Sequence, residues 1–562
     1  MPGNPPSPVT APASESASGS YDPFSAFALI WAVTTLAHQL AFTFWTESWQ
    51  GWLLVTAAIA VIYRPGCVLR LGVLVVTSLL NLWHKLPFVP NHILFEGMLH
   101  LIMLIALIGF FRTGPGRREL AREKAAFASR LALLGAAASV KALYFFLPGI
   151  PHGPVPGALT TLFLLFALCR VLFGPGKIGS GGDYYDRIAP ILRVALLIMY
   201  IWAVIQKLNW DYFDPEVSCA AVLHKEIAAY FGPLLPTGRW ALMTAAVASL
   251  LFELGIPLLL FFRKTRFIGF AAAIGFHLWL SIHPAAGIFS FTSLILAMLV
   301  FFLPLSWGVR LQGLWDGQLR WLGRGDPAKG RKRARALVVG VFFVTLITQG
   351  ALYLTIERSY EVFHTANRIG FFAFFLWGCW IGACYLLAGW KARKDNPAAL
   401  NRARWTLAWL GLLPVVLNGA YPWLGGRTQT SFSMYSNLRS EGEGNHFFLK
   451  RIDLFSLQTD MVDVRESVPN ILGPSSRPRG IQQFANIGHH LLPWHEFRRL
   501  VSEMEGDFEV RYFRRGEELA LGRKNGERHG DPAAFEPLPL LQRKFLWFRR
   551  LQNLEGPMCC TH

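Results

Sequence analysis

Charge is scarce in this chain, and acidity scarcer. Of its 562 residues 16% are charged, with 35 acidic side chains against 54 lysines and arginines. With 53% hydrophobic residues and a positive mean hydropathy, that scarcity excludes a soluble enzyme as the main architecture and predicts an integral membrane protein. Cysteine is thin as well. The seven cysteines show no CxxC and no finger spacing, which predicts neither a disulfide framework nor a zinc centre. No cationic start leads into an apolar run, so the Pro-, Ala- and Ser-rich residues 1–20 read as a disordered tail and not as a signal peptide. The formal charge of +19 is spread over short loops between apolar runs and is not gathered on one polar face, which speaks against nucleic acid as a partner.

Apolar stretches are what the chain has in quantity. They recur at 24–45, 51–63, 68–83, 93–111, 126–147, 157–173, 189–207, 239–262, 266–281, 286–304, 336–355, 368–389 and 404–420. A straight crossing needs about 20 residues, so 51–63 and 68–83 are expected to tilt or to stop short. Lysine and arginine cluster in every second loop: Arg64 and Arg70; Arg112 to Lys124; Arg170 and Lys177; Arg263 to Arg266; Arg320 to Arg335; Lys391 to Arg404. By the positive-inside rule these loops are cytoplasmic, the amino terminus is inside, and everything after Leu417 is outside. The expected fold class is an all-α polytopic membrane helix bundle with a small C-terminal α+β or β-rich extracytoplasmic domain. Its parts are the tail, a transmembrane domain at 21–305, additional helices at 306–420, and the outer domain at 421–562. In the outer domain Thr430–Tyr435, His446–Leu454 and Phe508–Phe513 alternate like strands, while Trp494–Met504 and Leu538–Leu551 carry helical spacing. Glu216–Phe231 has the spacing of a helix lying at the interface.

Functional groups concentrate at the outer ends of the helices. Lys207 closes an apolar helix among Trp202, Trp210, Tyr212 and Phe213. A rim lysine either snorkels outward or faces a polar interior, and position alone leaves both open. His92, Glu96 and His100 follow Asn91 four residues apart, so they drift slowly around one helix face. The rise of ~1.5 Å per residue separates His92 from His100 by about 12 Å, too far to share one ion, and no metal site is expected. Capping and interhelical hydrogen bonds are the plain reading of that stripe. Glu253 is expected to pair with a basic group of a neighbouring helix. His277, at the level of Lys207 and His92, is the group best placed to move a proton near neutral pH. The run Gly488-His489-His490 through His495 is expected to be local turn packing. A haem among His38, His92, His100 and His277 is a lesser rival that rests on residue type alone.

Asn91-His92 opening a helix, Lys207-Leu208 closing another before an aromatic and acidic turn, and Glu253, Pro257, Arg266, Gly269 and Phe276-His277 followed by Phe289-Ser290-Phe291 together resemble the horizontally transferred transmembrane (HTTM) family. That family includes the vitamin K-dependent γ-glutamyl carboxylase and its bacterial relatives. The resemblance covers about Tyr21 to Leu305 and extends loosely to the tail, where Phe432 to Gly442 is similar to bacterial members. It implies a lysine base, Lys207, that deprotonates reduced vitamin K or a related quinol. Oxygen and carbon dioxide are the implied co-substrates, and a protein glutamate is the implied carbon acid. His92 corresponds to the family's active-site histidine and His277 to a supporting one, with Trp202, Trp210 and Glu96 as quinol contacts. An apolar rim is expected to strip the amine of water and favour its neutral form. Implied partners are membrane lipid, quinone and a secreted or membrane peptide. The outer part is shorter than in the animal carboxylase and there are extra helices between Ala336 and Gly419, so propeptide recognition is not implied. The alternative is a non-catalytic membrane protein that binds quinone or lipid, or that matures or anchors a partner.

Overall fold

The computed structural model describes residues 23–41, 48–113, parts of 130–167, 181–283, 288–355, 360–392, 406–469 and 490–560. The expectations for the amino-terminal tail and for His489 lie outside the described residues, as do most of 126–147 and 157–173. Among the described residues the chain is mostly helical. Seven helices are long and apolar enough to cross a membrane: Pro23–Ala41, Val68–Lys85, Asn91–Phe111, Gly181–Lys207, Arg239–Phe261, Arg368–Ala392 and Leu407–Leu424.

The first four helices, α1 (Pro23–Ala41), α2 (Trp49–Tyr63), α3 (Val68–Lys85) and α4 (Asn91–Phe111), pack each against the next in chain order. Ser48 caps α2 by accepting from the Gly51 amide at 3.2 Å, which satisfies one of the amides a helix start leaves open. The Leu82 side chain of α3 packs directly on the α4 backbone because residue 97 is glycine: a Cβ there would lie 2.1 Å from Leu82 Cδ2. Helix α5 (Gly181–Lys207) packs against α1 and α4. Then α6 (Cys219–Phe231), α7 (Arg239–Phe261), α8 (Arg266–Ser281) and α9 (Ile288–Leu299) follow, with α7 touching α5, α6 and α8, and α9 lying on α1 and α8. The helix at Cys219–Phe231 falls within the run whose spacing predicts one. Three further helices, α10 (Leu305–Leu322), α11 (Pro327–Thr355) and α12 (Tyr360–Ala392), pack mutually and lay α12 along α8, α9 and α1. Helix α10 lies between the apolar stretches because its polar face masks it from a hydropathy scan; its Trp307 indole donates to the Tyr385 carbonyl at 2.9 Å. A last short helix, α13 (Leu412–Ala420), rests on α5, where Gly419 meets the face of Trp202.

Beyond α13 the backbone is irregular to about residue 460, and a five-stranded antiparallel sheet then forms in the order β2-β1-β3-β4-β5. Its strands are β1 (Met461–Val468), β2 (His490–Pro493), β3 (Phe508–Arg514), β4 (Glu517–Lys524) and β5 (Glu527–His529). Alternation along β3 sends Phe508, Val510 and Tyr512 inward, where Phe497 and Val501 of α14 (Trp494–Glu503) cover them. The sheet region docks on the α3–α4 turn through Arg499, stacked over Phe88, and through Lys544, which donates to the His84 and Leu86 carbonyls.

Three expectations are corrected here. Thr430–Tyr435 and His446–Leu454 are not strands, although their residues alternate. Their amides and carbonyls pair with the ends of the bundle helices and with neighbouring loops, and Thr430, Phe432 and Tyr435 take left-handed conformations that no ladder accommodates. Cys219 and Cys560 form a disulfide across a separation of 341 residues, so the scarcity of cysteine did not preclude a bridge. Pairing follows from spatial approach, which spacing along the chain does not reveal.

His495 of α14 is buried and its ring meets Phe548 edge-on. Burial pushes its pKa down from 6.5 to about 4. The unfolded chain therefore binds a proton between those values that the folded chain refuses. The stability is whole above pH 6.5 and is lost as pH falls toward 4, by about 3 kcal/mol in total. Urea unfolding of the sheet region followed by Trp494 fluorescence is expected to show that loss in the native chain and to show most of it removed in His495→Gln.

Candidate functional site

The end of α5 is fastened before it does anything else. Asn209 caps the short turn that follows, accepting from the Tyr212 amide at 2.9 Å while donating to the Gln206 and Ser436 carbonyls. His446 donates through Nε2 to the Ile205 carbonyl at 2.9 Å and accepts through Nδ1 from the Phe448 and Leu449 amides. Those partners fix one neutral tautomer, and burial holds the pKa of His446 below its ordinary value. The carbonyls that a helix terminus leaves open are thus answered, and Lys207 is set in place.

Lys207 is 5% exposed and its Nζ donates to Glu253 Oε2 of α7 at 2.7 Å. It does not snorkel. The expected bare, dehydrated amine is corrected to a buried ion pair, and Glu253 has the basic partner that was expected of it. Lys207, His92 and His277, from three separate helices, line one cavity of about 90 Å³. Tyr200, two turns before Lys207 on the same face of α5, also lines it, and its hydroxyl lies 2.5 Å from His277 Nε2. His92 Nε2 lies 2.8 Å from Ser290 Oγ at the start of α9. The ring of Phe291 stands between the imidazoles, edge-on to His277 at 5.2 Å and tilted to His92 at 6.0 Å. These polar groups come from α4, α5, α7, α8 and α9, and they meet around the cavity.

Phe432, Met434 and Tyr435 line the cavity too. The Phe432 amide donates to Asn91 Oδ1 at 2.9 Å, its ring packs on Phe95, and Gln206 donates to the Ser431 carbonyl at 3.5 Å. Phe432 and Tyr435 have φ of 60° and 54°, in a region costly for side chains of that size, at about 1 kcal/mol or more each. The surrounding contacts hold them there. A segment carrying such strain beside buried titratable groups is a mark of a functional site.

Trp202, Trp210 and Glu96 are not among the residues that line this cavity. Trp202 packs on Gly419, and Trp210 is 71% exposed with its ring against Phe447. Glu96 lies deeper, at 2.8 Å from His38 Nδ1. The histidines of the haem reading are each engaged by protein partners: His38 by Glu96 and Ser290, His92 by Ser290, His100 by Trp31 and His277 by Tyr200. Sequence reasoning missed Tyr200 and the 432–435 segment. Tyr200 was signalled by its seven-residue offset from Lys207, which returns to the same helix face. The 432–435 segment was marked only by the likeness of Phe432 to Gly442 to bacterial members of the family, which gave it no place in the site; the chain's return to the mouth of the bundle brings it there.

Residues 188–307 match the family model of the HTTM domain. No curated protein and no solved structure matches the chain. The HTTM segment supplies Tyr200, Lys207, Glu253, His277 and Ser290, while Asn91, His92 and Phe432 come from outside it. The cavity thus joins the matched segment to both flanks of the chain.

A buried pair is destabilising to break and close to neutral to replace whole. Lys207→Met and Glu253→Leu are each expected to lower stability by about 3 kcal/mol, and the double variant to recover most of it. Thermal unfolding in detergent checks this, and additive losses would contradict it.

Proposed function

We propose that the chain is a multi-pass membrane enzyme of the carboxylase-like kind, using Lys207 as the base in quinol-linked, oxygen-dependent proton abstraction. The observation that carries this reading is the convergence of one buried amine, one carboxylate and two imidazoles, from four helices, on an apolar cavity. The resemblance and the HTTM match agree with it. The lining suits a reduced vitamin K or related quinol in kind: Met199, Leu223, Leu280, Ile288, Phe291 and Phe432 surround the polar groups. In the form described, about 90 Å³ holds roughly three waters, dioxygen or carbon dioxide. A ring system requires the mouth to widen. Glu253 sits between Phe252 and Leu254, both exposed on the apolar face of α7, so a lipid-borne ring has a sideways approach.

When bound, the quinol with oxygen would supply a base strong enough to take a proton from carbon. The residues of this chain do the rest. In the resting pair Nζ donates to Oε2, and passage of that proton to Glu253 would leave a neutral amine lone pair beside the cavity. Both partners are then uncharged, which lowers the cost of keeping them dry. His277 and Tyr200 form a second proton-bearing pair on the same wall. His92, held by Ser290, orients whatever hydroxyl or carboxyl enters. A peptide glutamate reaching the mouth, with carbon dioxide as electrophile, is the substrate class that the resemblance implies.

Orientation belongs to the same proposal. The Cys219–Cys560 bridge lies on the side of the cavity mouth, and disulfides persist in oxidising compartments. The described basic loops at Arg64 and at Arg263 to Arg266 lie at the opposite helix ends. Both support a cytoplasmic amino terminus and an extracytoplasmic mouth and sheet.

Purified chain given reduced vitamin K and oxygen is expected to form the epoxide, and Lys207→Ala to lower the rate at least 100-fold, in keeping with loss of a general base. Equal rates in folded wild type and variant would overturn the assignment. Bound quinone without turnover in either would favour the non-catalytic reading. An impermeant thiol reagent is expected to label Lys450→Cys from outside and Lys332→Cys only after permeabilisation.

A further inference from the structure

The apolar side chains that make His446–Leu454 alternate have no core to face. Phe448, Ile452 and Leu454 are 70%, 68% and 67% exposed, and Leu449 and Phe455 are exposed as well. Phe447 joins them to the turn after α5, its ring 4.5 Å from that of the exposed Trp210 and stacked on Phe213. An apolar row of this size on a loop marks a surface that meets something other than water.

Backbone hydrogen bonds fix the level at which the row lies. The Phe447 amide donates to the Leu208 carbonyl at 3.0 Å, next to the contact of His446 with the Ile205 carbonyl. The Ile452 and Phe455 amides donate to the Trp423 and Leu424 carbonyls at 2.7 and 3.1 Å, and the Phe455 ring stacks on Tyr421. Lys207 and Leu424 end two of the helices that are long and apolar enough to cross a membrane. Gln206 donates to the Gly419 carbonyl at 2.8 Å, which brings those two ends to one level. The loop therefore runs around the ends of two spans. On those same spans Ile201, Leu413 and Leu417 already face outward, and the row carries that apolar surface on past the helix ends.

We propose that residues 447–455, with Trp210, form an interfacial anchor that lies in the bilayer leaflet at the sheet-bearing end of the bundle. Charge agrees with that depth. Arg451 and Asp453 pair at 2.5 Å, which leaves the exposed Lys450 as the net charge of the segment. A lysine among aromatic and aliphatic side chains suits the headgroup level, where its stem lies along apolar surface and its amine meets phosphate. The ligand is lipid: acyl chains for the apolar row, and an anionic headgroup for Lys450. A soluble partner would account for the apolar row but not for its level at the helix ends. By holding the turn after Lys207 at headgroup depth, the anchor sets the cavity mouth where lipid tails begin. It rests on the multi-pass reading and not on the quinol chemistry.

Two measurements on the full chain in nanodiscs decide it. With Cys67, Cys169, Cys379, Cys384 and Cys559 replaced by alanine, a thiol-reactive fluorophore is placed on Phe448→Cys, on Ile452→Cys, on Glu527→Cys at the β5 edge, or on Leu251→Cys on the exposed face of α7. Phosphatidylcholine with a nitroxide near its headgroup is expected to quench the labels at 448 and 452 about threefold more than the label at 527. A nitroxide at the end of the acyl chain is expected to quench the label at 251. Equal shallow quenching at 448, 452 and 527 overturns the anchor. With the label at 251 quenched, only the anchor falls; with it unquenched, the multi-pass reading falls too. A disulfide between two copies of Phe448→Cys, with its neighbour at 452 shielded from nitroxide, overturns the anchor and gives the patch to a second copy. The second measurement uses the unaltered chain. A diazirine-bearing phosphatidylcholine is expected to leave photoadducts on residues 447–455 and none on 517–529, and their absence from 447–455 overturns the anchor.

Discussion

The pairing of Lys207 with Glu253 is the contact around which the sheet-bearing end of the bundle is arranged. A buried amine and a half-buried carboxylate are each costly alone, and they are tolerable together because the 2.7 Å contact offsets one charge with the other. Everything that positions the pair follows from that need. The end of α5 is clamped by Asn209 and His446, α7 brings the carboxylate across from the next helix, and the 432–435 segment closes the space above. The same economy of charge explains the neighbouring imidazoles, each of which meets a hydroxyl, a carbonyl or a carboxylate and not lipid.

The second structural constraint is the return of the chain to its own mouth. After α13 the backbone re-enters the space between α4, α5 and α6, and Asn91, Asn209, Asp211 and Asn437 hold it there. Asp211 accepts from Asn445 and from the Met558 amide, and Asn437 donates to the Val217 and Met558 carbonyls. The Cys219–Cys560 bridge lies within this same knot. The sheet therefore does not hang from the bundle on a free linker. The residues between α13 and β1 are part of the cavity's roof, and their left-handed conformations persist because so many side chains constrain them.

Helix placement was legible in the sequence to within a few residues for most described stretches, because long apolar runs have few alternatives to helix. That Lys207, His92 and His277 lie at one level of the bundle was legible for the same reason: helix length sets where each helix ends. Their mutual approach was not, since helices of equal depth can lie on opposite sides of a bundle. Nor was the choice among aromatic neighbours. Trp202 and Trp210 flank Lys207 in the chain, yet one turns to Gly419 and the other outward, while Tyr200 shares the lysine's face.

Sequence alone settled that this chain is built of apolar helices with a polar, mixed carboxyl-terminal region, and which polar side chains sit near the helix ends. These are consequences of local composition and period. Tertiary structure decided the partner of each: Lys207 with Glu253 across 46 positions, His38 with Ser290 across 252, and Phe432 with Asn91 across 341. Buried polar groups must find partners wherever packing brings them, and packing is set by the shapes of whole helices.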